Sequence, residues 1–294
     1  MTKAEQAVLK LMHERGEATR PQLAAATGLS LVTVGKAVAS LCMRGEIHAM
    51  GEVPSAGGRP VQLYRYHAGH ALHALIEGKK EGNLLRCEIT MMDLHGCELK
   101  RRVASFAYLD VESLDGLLDE MLRGKRLRSI TLLPTVETLS PLELSAHLRH
   151  RYECTVNRPC LASLFADKTA DDTATICLPQ GGVPSCSIYR HGELQECGPL
   201  HFLPMPADWS SLDYSDRSLL EEMIARLLVI ITCTHGPNHI VLYAEGLTAR
   251  LTERIRYNAA TKLRDMLPPL DFSTLTQEAL HAAVRNYCTD YRHD

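Results

Sequence analysis

Two glycines followed by an arginine and a proline, Gly57-Gly58-Arg59-Pro60, interrupt a strand-forming stretch and leave the chain few ways to continue. Gly57 and Gly58 admit backbone turns that a side chain would block. Pro60 fixes its own φ and biases Arg59 towards an extended conformation. Ile47–Met50 and Val61–Tyr66 are strand-like on either side, so Pro54–Pro60 reads as the stiff tip of a hairpin that holds one arginine outward. A guanidinium presented in this way suits a narrow groove of high negative potential, such as an A·T-rich minor groove. An ordinary hairpin loop with a solvated arginine has the same local look, and the residues upstream separate the two.

Upstream, Lys3–His13 places Ala7, Val8, Leu11 and Met12 at helical spacing, and Gly16 stops it. Thr19-Arg20-Pro21-Gln22 has the form of a capping box with proline in the first turn. It opens a short helix over Gln22–Thr27, with Leu23, Ala24 and Ala26 towards a core. Gly28 permits a tight turn, and Ser30 is the N-cap of a further helix reaching about Arg44. Along that helix Val34, Val38 and Leu41 form the buried stripe, while Thr33, Lys36 and Ser40 fall on another face. Helix, helix, turn, recognition helix and β-wing is the order of a winged helix-turn-helix, predicted here for residues 1–68. The start of the recognition helix enters the major groove in such modules. Thr33 and Lys36 are then candidates for base edges or phosphates. Leu31 and Val32 are candidates for thymine methyls or, alternatively, for core or interface positions. Ser30, Ser40, Gly57, Gly58, Arg59 and Pro60 complete the candidate DNA-binding set.

Charge agrees with this division. Up to Ala68 there are eight Lys/Arg and five Asp/Glu, a net of +3, and the remainder carries 24 basic and 30 acidic residues, a net of −6. A mildly basic head on an acidic body fits a small electrostatic footprint on DNA and excludes a protein that coats nucleic acid. No apolar stretch approaches the ~20 residues needed to span a bilayer. No hydrophobic signal segment follows Met1, so a cytoplasmic protein with no membrane partner is expected. The ten cysteines include no C-x-x-C pair and are expected as free, buried thiols. His191, Cys197 and His201 lack regular ligand spacing, so neither a metal nor any other cofactor is expected.

From Gly69 onward the pattern changes. Leu84–Leu94 and Leu99–Phe106 read as strands joined by a turn at Asp93-Leu94-His95-Gly96. Leu114–Leu122 is helical, Ile130–Leu133 is a short strand, and Ser140-Pro141-Leu142-Glu143 caps a helix to about Tyr152. Val156 marks a short strand and Leu161–Asp167 a helix. Thr173–Leu178 and Ser185–Arg190 are strands, Leu219–Thr234 is a long helix, and Ile240–Tyr243 is a buried strand. Ala249–Leu267 and Gln277–Tyr291 are helical. Hairpins first and alternating helices afterwards predict an α/β domain with a mixed sheet over 69–294.

This layout, with Gly57-Gly58-Arg59-Pro60, resembles that of ROK-family transcriptional regulators (repressors, open reading frames, kinases). Asp93-Leu94-His95-Gly96 is similar to the family's turn between its first two strands. His235-Gly236-Pro237-Asn238-His239-Ile240-Val241-Leu242-Tyr243-Ala244-Glu245-Gly246-Leu247 is similar to its late helix–strand segment. The resemblance implies an actin-like, ribonuclease-H-like ATPase fold for the body and, as partners, a DNA operator and a sugar-like effector. A winged helix covers only a short half-site, so a homodimer reading a palindrome is expected. The kinase motifs of the family are not kept. Its first phosphate loop, Asp-x-Gly-Gly-Thr, corresponds to Glu81-Gly82-Asn83-Leu84-Leu85, and its second to Gly181-Gly182-Val183-Pro184-Ser185. The base of its Asn-Asp-x-Asn motif falls on Pro159 in Asn157-Arg158-Pro159-Cys160, and Pro159 accepts no proton. No cysteine follows His201 through Trp209, where the family has its zinc cluster, and Cys197-Gly198-Pro199-Leu200-His201 lacks the glutamate that grips a sugar. The expected function is a non-enzymatic DNA-binding repressor with a degenerate kinase-like body. A sugar kinase with a fused DNA-binding head, and a protein–protein adaptor, are the alternatives.

Overall fold

The computed structural model describes residues 1–55, 58–81, 83–107, 110–133, 141–180, 182–200, 205–206 and 211–289. The chain begins with α1 (Lys3–Arg15), β1 (Glu17–Thr19), α2 (Arg20–Thr27), α3 (Leu31–Met43), β2 (Ile47–Ser55) and β3 (Gly58–Tyr66). Both predicted helix starts near Thr19 and Ser30 are present. Thr19 and Gln22 form the reciprocal capping box, and Ser30 accepts from Thr33 N. Gly28, left-handed at φ 71°, ends α2. The axes of α2 and α3 then differ by 116°, the geometry of a helix-turn-helix. Val8, Met12, Leu23, Val34, Val38, Leu41 and Ile47 are fully buried together. The short strand β1 was not anticipated; it joins the hairpin as a three-stranded sheet of order β1-β3-β2. The wing strands are also longer than their apolar cores suggest, because ladder pairing extends out to Ser55 and Gly58.

The body repeats one plan twice. After a 3-10 turn at Ala68–His70 come β4 (Ala71–Glu81), β5 (Leu84–Met92), β6 (Glu98–Phe106), α4 (Val111–Leu122), β7 (Arg126–Leu132), α5 (Pro141–Tyr152), β8 (Thr155–Asn157) and α6 (Leu161–Phe165). Then β9 (Thr173–Leu178), β10 (Ser185–Arg190), β11 (Glu193–Pro199), α7 (Tyr214–His235), β12 (His239–Ala244), α8 (Ala249–Leu263), β13 (Leu270–Thr274) and α9 (Gln277–Thr289) follow in the same succession. The expected single mixed sheet is therefore two sheets, with orders β6-β5-β4-β7-β8 and β11-β10-β9-β12-β13. In each, three antiparallel strands are extended by two parallel ones through helical crossovers. The predicted turn at Asp93–Gly96 is present: Asp93 Oδ1 accepts from His95 N and Cys97 N, both at 2.9 Å. Gly96 sits at φ 76°, and a Cβ there would lie 3.0 Å from Arg285 Cβ on α9.

Each repeat has a core between its sheet and its crossover helices. The two repeats are joined by an exchange of their last helices. Leu161, Ala162 and Leu164 of α6 and Ala283 and Val284 of α9 are buried in one cluster with Leu75, Met92 and Leu133 of the first repeat and Cys177 of the second. The predicted burial of every cysteine is corrected here. Cys97 and Cys233 are exposed, and Cys42, Cys160 and Cys197 are half-buried, because these lie at turns and element ends.

The head is seated on the body through the turn after β5. Leu94 is 5% exposed and belongs to the head's own core. Leu94 N donates to Ala68 O at 3.0 Å, and His13 Nε2 donates to Leu94 O at 3.1 Å. Leu94→Ala is expected to cost about 2–4 kcal/mol as a buried truncation. It should lower the thermal midpoint and speed proteolysis in the link around residues 67–70. A midpoint within 1 °C of wild type, on the ~2–4 °C per kcal/mol scale of larger domains, would show the seat is not cooperative with the fold.

Burial, the largest influence, holds the His13 imidazole below its ordinary 6.5; the Leu94 carbonyl and Glu14 oppose this and His95 adds to it. Below pH 6.5 the unfolded chain therefore takes up the His13 proton before the folded one does. This stability is present above pH 6.5 and lost as pH falls further. The thermal midpoint should drop between pH 7.5 and 5.5, and drop less in His13→Gln. Equal slopes for the two proteins would remove His13 from this role.

Candidate nucleic-acid interface

The first turn of α3 is fixed before anything binds it. Ser30 Oγ accepts from Thr33 N at 3.2 Å and shares a hydrogen bond of 2.9 Å with Thr33 Oγ1. Leu31 and Val32 are 58% and 71% exposed, so neither belongs to the head's core. Lys36 is exposed one turn after Val32, on the same side of the helix. Val34, Ala37, Val38 and Leu41 face inward. Ser40 stands apart from this group, about 15 Å along the helix from Ser30 at 1.5 Å per residue. Arg44 Nη1 donates to its hydroxyl at 2.9 Å. A hydrogen bond with Ser40 is also the largest of the influences that bring the Glu5 carboxyl down to about 2.

Arg20 was not among the expected contacts. It is exposed beside α3: its guanidinium lies 5.4 Å from the Tyr64 ring centre and within reach of Gly35. Arg20 directly follows the N-cap Thr19, so in the sequence it reads as part of a capping box. In the wing, Gly58, Arg59 and Pro60 are exposed, and Ser55 pairs with Gly58. The register shifts between Val53 and Ser55, where Pro54 sits opposite Arg59 and Pro60. Proline is tolerated at such an irregularity because no ladder donor is required there. Gly57 lies outside the described residues.

The segments matching the kinase motifs are used for packing. Glu81 pairs with Leu84 across the β4–β5 hairpin, and Leu85 is buried. Pro159, at the position of the base, is buried. Pro184 is buried, and its carbonyl accepts from Leu200 N at 2.7 Å. A Cβ on Gly182 would meet Pro179 Cγ at 2.8 Å, so this glycine serves a close internal approach. The backbone donors at the start of α6 are engaged within the chain. Cys160 N donates to Glu196 at 3.2 Å, and Ala162 N donates to Ser185 Oγ at 3.0 Å.

Among the described residues one trio, Glu77, Glu88 and His281, converges closely enough to hold a metal ion. Arg101 bridges two of the three: Nη1 lies 3.1 Å from Glu88, and Nη2 donates to His281 Nδ1 at 3.2 Å. His281 Nε2 in turn donates to Glu77 at 3.1 Å. A guanidinium in place of a cation makes this an ion-pair network. Of the weak metal trio, His191 is exposed beside Asp171 and His201 lies outside the described residues. Cys197 instead receives a hydrogen bond from Cys186, which pulls its thiol down to about 7 and pushes that of Cys186 up. Among the described residues no single helix is long and apolar enough to cross a membrane.

No protein-family model matches the sequence, and no curated protein matches it significantly. Solved structures do match in fold. A ROK family transcriptional regulator, homologous to the Mlc protein of E. coli, aligns with 97% of this chain and 95% of its own, at 14% identity and a TM-score of 0.61. A ROK family protein from Streptococcus pneumoniae, solved in complex with sucrose, aligns with 75% of this chain and all of its own, at 12% identity and a TM-score of 0.49. The resemblance to ROK-family regulators is thus one of architecture along nearly the whole chain: a helix-turn-helix head with a β-wing on a duplicated α/β body.

Proposed function

We propose that the chain is a DNA-binding transcriptional regulator, with a head through Ala68 that reads duplex DNA and a body that has left sugar phosphorylation. The observation that carries this reading is the pairing of two outward elements on one small domain. These are the start of α3, with Leu31, Val32 and Lys36 exposed, and the wing bearing Arg59. Two large apolar side chains exposed side by side at a capped helix start suit thymine methyls in a major groove. An arginine on the wing suits the adjacent minor groove. The regulator named among the solved structures has the same architecture over 97% of this chain, which supports the assignment. A cytoplasmic homodimer acting as a repressor, responsive to a sugar-like effector, completes the proposal. Leu219 and Ile230, exposed on α7, offer an apolar surface for such a dimer.

Selection from a random duplex library should yield palindromic sites with half-sites about one helical turn, or a multiple of it, apart. On such a site Arg59→Ala should lose about 1–3 kcal/mol, roughly tenfold to a hundredfold in affinity, together with preference for flanking A·T pairs. Arg59→Lys should recover part of it, because lysine keeps the charge but is more strongly hydrated. Lys36→Ala should weaken binding either at the central bases or uniformly, with a shallower salt dependence. Wild-type affinity for Arg59→Ala at ~150 mM salt would reduce the wing to a loop.

The body is proposed to be inactive as a kinase, because Pro159 replaces the proton acceptor and Pro184 removes a donor from the second glycine loop. Calorimetry with Mg-ATP should show no saturable heat at tens of micromolar protein, where a Kd near 10 μM would be plain. Saturable binding, with phosphate transfer to any sugar in a panel, would restore the kinase reading.

A further inference from the structure

We infer that the cleft between head and body is a binding site for a small phosphate-bearing anion, and that such a ligand clamps the DNA-reading head to the body. The cleft is a half-open cavity of about 500 Å³. That is within the ~300–1,000 Å³ of small-molecule sites and roomy enough for a phosphorylated monosaccharide. The head supplies Arg44 and Glu46 from the turn between α3 and β2, the link supplies His70, and the body supplies Arg126 and Arg128 of β7 and Arg149 of α5.

The wall is built for negative charge. Four guanidiniums face two carboxylates, Glu46 and Glu153. Arg44 is committed to Glu46, and Glu5 lies 3.5 Å from it, so the positive excess lies on the body side. The backbone is shaped to present that excess. β4 and β7 pair in parallel with Leu72 opposite Leu127 and His73 opposite Ser129, which leaves Arg128 as an extra residue in the register of β7. Such a bulge re-aims a side chain, and here Arg126 and Arg128 are exposed on either side of buried Leu127. Guanidiniums converging from a strand, a helix end and the facing head suit the several acceptor oxygens of a phosphate, which arginine binds in pairs of parallel hydrogen bonds.

This is not the DNA-reading surface. Fourteen residues of helical rise separate Ser30 from Arg44, so the cleft lies about 20 Å from the reading end of α3. Nor is it the region of the former phosphate loops, since its body wall comes from β7, β8 and α5 at one side of the first sheet. A phosphate touching Arg44 and Arg149 together would add charge-assisted ties across the seam made by His67, whose N and Nδ1 donate to Glu46 O and Gly45 O at 2.9 and 3.0 Å.

The site itself does not depend on the head being a DNA reader; only the consequence of clamping rests on that reading. The test is calorimetry on the full chain with inorganic phosphate, glucose 6-phosphate and glucose, which needs no operator. Saturable binding of at least one phosphate probe is expected, with none for glucose, and the tighter of the two identifies a free or an esterified phosphate. Arg126→Ala/Arg149→Ala should weaken it at least about tenfold, with Arg149→Lys recovering little because the paired geometry is lost. Both arginines are exposed, so a thermal midpoint close to wild type is expected in the double variant. Arg59→Ala should bind the anion as wild type does. Three results would each overturn the proposal: no saturable heat from either phosphate probe at ~10 mM, weaker than any Kd worth about 3 kcal/mol; undiminished binding in the double variant; or loss of duplex DNA affinity in that variant without loss of phosphate binding, which would make these arginines DNA contacts.

Discussion

The exchange of α6 and α9 between the two body repeats is the constraint on which the rest of the molecule depends. Each repeat ends in a helix that packs into a cluster shared with the other, so neither sheet covers its apolar face alone. Leu75, Leu161 and Val284 are at most 5% exposed there, and each such side chain contributes roughly 1.5–3 kcal/mol through burial. His281 of α9 lies between Arg101 and Glu77 of the first sheet, within 3.2 Å of each. Removing one charge from that half-buried network would leave its partners uncompensated, which is costlier than never having formed it.

The same packing engages the segments that the sequence resemblance sets against the family's kinase motifs. A phosphate is held by free backbone N–H groups on a glycine-lined approach. Here Pro159 and Pro184 offer no N–H, Cys160 N and Ala162 N are satisfied by Glu196 and Ser185, and Gly182 is pressed against Pro179. The bonds of Cys160 and Ala162 run between α6 and the second sheet and reinforce the helix exchange. A loop released to accept a nucleotide would weaken that joint.

The head was legible in the sequence because its signals are local. Capping boxes, a left-handed glycine and a proline-flanked wing act over four to seven residues, and Thr19, Gly28 and Ser30 stand where their chemistry predicts. The body was legible only in part. β4 shows no strand signal in the sequence because it is central and buried over Ala71–Ile76, which removes the alternation that marks a half-exposed strand. It also carries His73, Gly78 and two lysines, poor strand formers by propensity. β11 and β13 are edge strands interrupted by Gly198 and introduced by Pro268-Pro269, so turn signals hid them. The duplication was invisible because its two halves share a succession of elements, not residues. The arginine cleft was equally hidden: the bulge that exposes Arg128 is a property of register, which no single stretch of sequence contains.

What links these parts is the seating of a small domain on a rigid one. A three-helix head of this size buries little surface by itself, and its core is completed by Leu94 and Ala71 from the body. The link is correspondingly short and internally bonded: His70 Nδ1 donates to His67 O at 2.8 Å, and Tyr66, His13 and His95 meet ring to ring at centroid distances of 5.0–5.3 Å. A head held in this way does not swing as on a flexible tether; it shifts with the surface beneath it. Its orientation is then set by the contacts of Leu94 with Ala68 and His13 and by the burial of Ala71 in the head's core. A displacement of about an ångström at the seat is then carried by the rigid head to the start of α3, about 20 Å away.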